Sequence, residues 1–217
     1  MVLMALKTLK DLTDDYEVIV VNDGSTDYTA EVLNELKQEH EHVRIIQHER
    51  NRGYGGALIT GFQNCTKELI FYTDGDAQYD VRELALLRNA LTDNVDWING
   101  YKISRSDPLH RKILGRIYHW IAKLFFGLRL RDVDCDFRLM RRIIFDKVRL
   151  ESQSGVICVE MMKKFQDAGF SVVEVPVHHY FRAYGKSQFF NFRRIFRIGI
   201  NLIQLWWKLV IRKSHLK

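Results

Sequence analysis

With 217 residues, 47% of them hydrophobic, the chain is long enough to bury one core and too apolar for a disordered class, so a single catalytic-size domain is expected. Three cysteines, Cys65, Cys135 and Cys158, form no C-x-x-C pair and leave an odd thiol, which argues against a disulfide framework or a zinc site and suits a reducing cytoplasm. The net charge of +6 is concentrated: residues 99–131 hold eight Lys/Arg against one acid, Asp107, and residues 176–217 hold nine against none, so an acidic body carries two basic appendages suited to nucleic acid, anionic lipid or a phosphorylated substrate.

Residues 2–12 read as a helix with Val2, Leu6, Leu9 and Leu12 roughly on one face. The stretch carries two lysines and lacks both a long apolar run and a small-residue cleavage site, so no export signal is expected. The β-branched run Tyr16 to Val21 predicts a strand ending in Asn22-Asp23-Gly24-Ser25-Thr26-Asp27, whose acids and hydroxyls both stop the strand and cap the next helix. Asp23 is then expected to point into a ligand cleft. A helix from about Thr29 to Glu39 leads to a second strand, Val43 to Ile46, and then to Asn51-Arg52-Gly53-Tyr54-Gly55-Gly56, which opens a helix to about Asn64. This glycine cluster fails both common nucleotide-loop patterns, because Leu58 and Gly61-Phe62 stand where a dinucleotide loop and a P-loop need Gly and Gly-Lys. Its physical reading is close backbone approach at a helix start, a place that also favours a phosphate.

The apolar strand Leu69 to Tyr72 ends in Asp74-Gly75-Asp76-Ala77-Gln78, which puts two carboxylates just past a strand end, where α/β sheets bind ligands. Like charges one residue apart gain most from a hard divalent cation, Mg²⁺ or Mn²⁺, lying between them and a diphosphate; a plain turn is the competing reading. The alternation of strands and helices predicts a mostly parallel α/β sheet with helices on both faces. An amphipathic helix over Val81 to Leu91 and a short strand over Asp96 to Tyr101 come next.

From His110 to Leu128 apolar residues recur at helical spacing on a basic cylinder, followed by Asp132, Asp134 and Asp136, three acids in five residues that form either a solvated turn or a strand edge facing a cationic centre. A helix around Val159 to Ala168 precedes a late strand, Ser171 to Val177, and the pair His178-His179, which on a strand points to opposite faces and so does not chelate one metal. Arg182, Lys186 and Ser187 suit a loop closing over phosphate oxygens. Residues 189–217 begin as an amphipathic helix free of acids, too short in its apolar run to cross a bilayer; they form a core helix or, with Trp206-Trp207 near the end, a basic membrane-interfacial tail beside a catalytic domain of residues 1–188.

Five motifs in order, residues 21–27, Asn51-Arg52-Gly53, Asp74 to Gln78, Asp134 to Leu139 and Arg182 to Gln188, resemble family 2 glycosyltransferases, and most of all their dolichol-phosphate mannosyltransferase and bacterial polyprenyl-phosphate branch. The resemblance implies a GT-A fold and inverting transfer of a sugar from a GDP- or UDP-sugar to a polyprenyl phosphate at the inner membrane surface, with Mg²⁺ or Mn²⁺ as cofactor and no nucleic-acid partner. It assigns Asp74, Asp76 and Gln78 to the metal and diphosphate; Asp23, Asn51, Gly53, Arg182 and Ser187 to the donor; Arg105 and Arg116 to the acceptor phosphate. Asp76, Asp134 and Asp136 are the expected catalytic residues, and an acid that steers the acceptor is expected among Asp132, Asp134 and Asp136. A family 2 transferase with a soluble or glycan acceptor, and a non-enzymatic basic binder, are the alternative functions. Family members open on a strand that this sequence lacks, so the resemblance also implies a truncated start and a sheet without a middle strand between residues 17–21 and 69–72. Those two strands then close up, another segment fills the slot, or the chain is unstable alone.

Overall fold

A computed structural model describes residues 1–105, 109–181 and 192–216, and their side chains except at 104, 105, 109–114 and 192–195. Helix α1 (Val2–Leu12) leads to β1 (Val18–Asn22), α2 (Thr29–Glu39) and β2 (Val43–Gln47), and the two strands pair in parallel from Val18 opposite Val43 to Asn22 opposite Gln47. Helix α3 (Tyr54–Asn64) packs on β1 and returns the chain to β3 (Leu69–Thr73). A 3₁₀ turn (Val81–Glu83) and α4 (Leu84–Ala90) stand where the sequence predicts one helix, followed by β4 (Trp97–Arg105) and the basic helix α5 (Leu109–Phe126). The rest is β5 (Phe137–Arg141), α6 (Ile143–Lys147), α7 (Ile157–Asp167), β6 (Val172–His179) and the C-terminal helix α8 (Phe192–Trp206), which runs on as a π turn.

The last four strands form a second sheet ordered β3-β5-β4-β6, in which β5 runs against both its neighbours and the other three point one way. Strand periodicity places the core on both faces of this sheet. Ile70, Tyr72, Trp97 and Met140 face the larger cluster with α3, α5, α7 and α8, while Leu69, Phe71, Ile98 and Leu139 face a smaller one with Leu84 and Leu87 of α4. The outer strand β6 carries Pro176, which an edge tolerates because its missing N–H has no ladder to break there. His178 and His179 diverge as the pleat requires: the first is exposed and bonded to Glu83, the second is buried against Tyr79.

No ladder joins β1 to β3 among the described residues; they lie in two separate sheets, so the two strands do not close up. The C-terminal helix is tied into the body rather than standing apart from it. Leu202, Leu205 and Leu209 complete the larger core, Asn201 donates to Ser154 at 3.1 Å, Lys208 pairs with Glu151 at 2.7 Å, and the Trp206 indole donates to the Phe125 carbonyl at 3.0 Å.

Candidate active site

The site gathers at the ends of β1 and β3 and around the loop that enters β5. At the end of β1, one Asp23 oxygen accepts the Arg52 amide at 2.8 Å and contacts the His48 ring at 2.7 Å, while the other accepts the Gly53 amide at 2.9 Å; Asn51 donates to the Asp23 carbonyl at 3.1 Å. Three sequence-predicted donor residues, Asp23, Asn51 and Gly53, are therefore brought together as one hydrogen-bonded corner. Gly24 turns that corner at φ 71°, and a Cβ there would lie 2.7 Å from the Asn51 amide nitrogen, so only glycine fits.

The glycine cluster makes the close backbone approach expected of it, but toward its own chain. The Gly55 and Gly56 amides donate to the Gln153 carbonyl at 2.9 and 3.4 Å, and a Cβ on Gly55 would sit 2.0 Å from the Ser152 oxygen. Those α3 N-terminal donors are spent on the segment before α7, a pairing 98 residues distant in sequence that no local pattern reveals.

Past β3, Asp76 accepts the Gln78 amide at 3.0 Å, and Ala77 between them holds a left-handed φ of 59°, a conformation rare outside glycine and concentrated at functional turns. Gln78 is buried and donates its side-chain amide to the Tyr180 carbonyl at 3.1 Å, anchoring the turn to the end of β6. The carboxylates of Asp74 and Asp76 are each half-buried at the rim of the sheet, an oxygen donor set that fits a hard divalent cation. Gln78's amide nitrogen is committed to the fold and braces this turn; the metal role the resemblance implies for Gln78 falls to its side-chain oxygen.

Tyr54, a residue that sequence reasoning gave no role, links this turn to the acidic loop. Its hydroxyl donates to Asp74 at 3.0 Å and lies beside the Asp136 carboxyl. Burial, reinforced by the charges of Asp136 and Asp74, pushes the phenol well above its ordinary pKa and keeps it a donor. Asp136 further accepts the Tyr72 hydroxyl at 3.1 Å and the Cys158 thiol at 3.4 Å, and burial raises its carboxyl above the usual carboxylate range against the pull of Lys102.

Beneath it lies Arg138, wholly buried, donating to Asn99 at 2.8 Å, to the Val133 carbonyl at 2.7 Å and to the Tyr72 hydroxyl, 3.6 Å from the Asp136 carboxylate. Arg138 belongs to the motif Asp134 to Leu139, but its inward turn depends on β5 being the fully covered strand between β3 and β4.

The three acids of the loop are not equivalent. Asp132 is buried, 3.7 Å from the Lys102 ammonium, and caps the Asp134 amide at 3.0 Å; Asp134 is half-buried and offers its carbonyl to Lys102 at 2.6 Å. On the other side of Asp132 opens a cavity of about 490 Å³ lined by Lys102, Arg116 and Arg131 with Tyr101, Ile103 and Trp120. A register shift between Lys102 and Ser104 in β4 lies at this wall, the kind of bulge that re-aims side chains beside active sites. Arg116, which the resemblance assigns to the acceptor phosphate, lines this cavity together with Asp132, as do Lys102 and Arg131, which sequence reasoning gave no role. Arg105 pairs through its backbone with His179, its side chain lying outside the described residues, as do Arg182 and Ser187 altogether. The three thiols are free, and burial pushes Cys65 up to about 11 and Cys135 to about 12, so neither is a nucleophile at neutral pH.

Sheet topology and strand-end carboxylates define a GT-A glycosyltransferase fold. It is similar to crystal structures of glucosyl-3-phosphoglycerate synthase from Mycobacterium tuberculosis, one with phosphoglyceric acid at TM-score 0.66 over 95% of this chain and 72% of that one, another with Mn²⁺ and UDP at 0.64, each at 16% identity. The chain belongs to glycosyl transferase family 2, whose profile matches residues 1–149. It is 30% identical over 206 residues to glycosyltransferase AglD of Haloferax volcanii, covering 92% of this chain and 33% of that protein. It is 28% identical over 193 residues to an undecaprenyl-phosphate 4-deoxy-4-formamido-L-arabinose transferase of an Enterobacter species, covering 88% of this chain and 58% of that one. The chain thus spans between a third and three fifths of the length of these relatives.

Proposed function

We propose that this chain is a metal-dependent glycosyltransferase that moves a sugar, with inversion, from a nucleoside diphosphate sugar to a polyprenyl phosphate at the inner surface of a membrane. The observation that carries this reading is the juxtaposition of the acidic loop, whose Asp136 lies beside Tyr54 and its partner Asp74, with a cavity that Asp132 of the same loop lines together with three cations and three apolar or aromatic side chains. A phosphate monoester on an apolar chain matches that lining: the cations take its charge, and Tyr101, Ile103 and Trp120 take its first apolar carbons.

Asp74 and Asp76 are the residues that would hold Mg²⁺ or Mn²⁺, with Gln78 bracing their turn. The ion supplies charge stabilisation to the departing diphosphate. Asp23, Asn51 and Gly53 hold the donor side of the site together, and Arg182 and Ser187 are assigned to its phosphates. The acceptor phosphate is already an anion and needs no strong base, so the work of Arg116, with Arg105 as a further candidate and Lys102 and Arg131 beside it, is to bind and orient it. Asp136, which accepts the Tyr72 hydroxyl, and half-buried Asp134, two residues before it in the same loop, are the acids assigned to steer the acceptor.

The test is transfer of labelled sugar from a panel of UDP- and GDP-sugars into lipid extract in the presence of a polyprenyl phosphate, with and without Mn²⁺. Metal-dependent labelling of the lipid is expected. Transfer to a water-soluble acceptor with none to lipid would overturn the acceptor class, and absence of turnover in every arm would overturn the activity.

A further inference from the structure

A second cavity, of about 290 Å³, shares no lining residue with the one beside Asp132. Its wall is basic: Lys147 at the end of α6, Arg149 just after it, Lys164 of α7, Lys208 of the π turn and His215 near the end of the chain stand against one carboxylate, Glu151. None of them has a part in the reaction proposed above.

The charges around this cavity do not cancel. Lys208 and Lys164 lie 2.7 and 3.2 Å from Glu151, and Lys164 also lies 2.6 Å from the buried Glu160, so two cations are matched by two acids. Lys147 and Arg149 have no acid partner among the described residues; Lys147 has only the Phe170 ring, at 5.7 Å. Two positive charges are therefore left facing the cavity. His215 adds an unmet polar atom. Its side chain is 7% exposed, its Nε2 lies 2.8 Å from Asp167, and Lys163 holds the other Asp167 oxygen at 2.6 Å. That leaves Nδ1, which is buried and has no hydrogen-bond partner among the described residues. Native folds rarely leave such an atom unmatched, and a bound ion is one of the few explanations. Protonated between Asp167 and an anion, the imidazole would donate from both nitrogens.

Unusual backbone builds the wall. A π turn, Trp207–Ile211, carries Lys208; Lys213 then turns the chain at a left-handed φ of 48°, and the 3₁₀ turn Ser214–Leu216 lays His215 against α7. Both π turns and left-handed residues other than glycine concentrate at functional sites. The rest of the wall is fixed in advance: the Glu151 and Ser152 amides donate to the Glu160 carboxylate at 3.1 and 2.8 Å, and Lys164 donates to the Arg149 carbonyl at 2.6 Å.

We infer that this cavity is a binding site for a small soluble phosphate anion carrying two or more charges, up to the size of pyrophosphate. Arginine and lysine side chains around a rigid concavity suit phosphate oxygens, and the volume lies at the small end of ligand pockets. No aromatic side chain stands among its described lining residues to stack a nucleobase, and Val148, Ala168 and Leu216 are too little apolar surface for an acyl chain. Nothing in this site depends on the proposed glycosyl transfer.

The experiment is calorimetric titration of the full chain with pyrophosphate and, separately, inorganic phosphate, in EDTA so that the Asp74 to Gln78 turn holds no metal. Saturable binding at one site is expected, tighter for pyrophosphate. Lys147→Gln with Arg149→Gln, both exposed side chains, should weaken it roughly tenfold or more at an unchanged melting temperature. Lys102→Gln with Arg116→Gln, in the other cavity, should leave it unaltered, as should Lys37→Gln with Arg88→Gln elsewhere on the surface. The His215 ring resonance, identified by its loss in His215→Gln, should shift on saturation. Absence of saturable binding overturns the inference, and so does a stationary His215 signal. Equal weakening by either control pair overturns it too, by placing the anion in the other cavity or in the general positive field. Displacement of pyrophosphate by phosphatidic acid vesicles would overturn the soluble ligand.

Discussion

Arg138→Met is the perturbation that most directly tests how the site is built. The guanidinium is wholly buried, with four hydrogen-bonded partners on four segments (Asn99 on β4, Tyr72 on β3, the Val133 carbonyl in the acidic loop and the Cys158 sulfur on α7), and it stands 3.6 Å from Asp136. Methionine fills similar space but leaves the Asn99 and Val133 oxygens without donors and Asp136 without its nearest cation. Breaking a buried charged pair from one side costs about 3–5 kcal/mol, a large share of the roughly 5–15 kcal/mol by which a domain is stable. With a urea dependence of about 2–3 kcal/mol per molar, the unfolding midpoint should fall by about 1–2 M. Adding Asp136→Asn to Arg138→Met should recover about 1 kcal/mol or more, since the stranded charge is then gone. A midpoint shift below about 0.3 M, or strict additivity of the two substitutions, would refute the claim that Arg138 is the keystone of the acidic loop.

Asp76→Asn should lower transfer about a hundredfold or more by removing an oxygen donor from the diphosphate-stabilising turn; undiminished turnover in EDTA would sink the metal assignment. Tyr54→Phe deletes the hydroxyl between Asp74 and Asp136 with little loss of packing, so kcat should drop roughly tenfold while the melting temperature moves by only a few degrees; equal kcat in the two proteins would remove Tyr54 from the site. Because burial raises the Asp136 pKa in the folded chain, the native state holds its proton longer than the unfolded state, and this group's contribution to stability falls as pH rises from about 4 through its folded pKa. Urea midpoints of the Asp136→Asn protein should therefore decline less over that interval than those of the unsubstituted chain, and parallel curves would contradict the assignment.

Much of the fold was legible in the sequence because its signals are local. The period of Val2, Leu6, Leu9 and Leu12 gave α1 over Val2–Leu12, the run before Asn22 gave β1, and the glycines after Asn51 opened α3. Alternation along a strand likewise separated His178 from His179 before any coordinates. Carboxylates at strand ends were found because an apolar run followed by Asp-Gly-Asp is a contiguous pattern. The connections that make these pieces a site are not contiguous. Tyr54 reaches Asp74 across 20 residues, Tyr72 reaches Asp136 across 64 and Arg138 reaches Tyr72 across 66. Which polar side chain turns inward is set by which strand is covered on both sides, and only sheet order fixes that. The same holds for the glycine cluster, whose amides serve the Gln153 carbonyl, and for α5 and the C-terminal helix, whose sequences show amphipathicity but not which of two apolar stripes the core takes. Periodicity is a property of one segment; the choice of face is made by the neighbour that covers it.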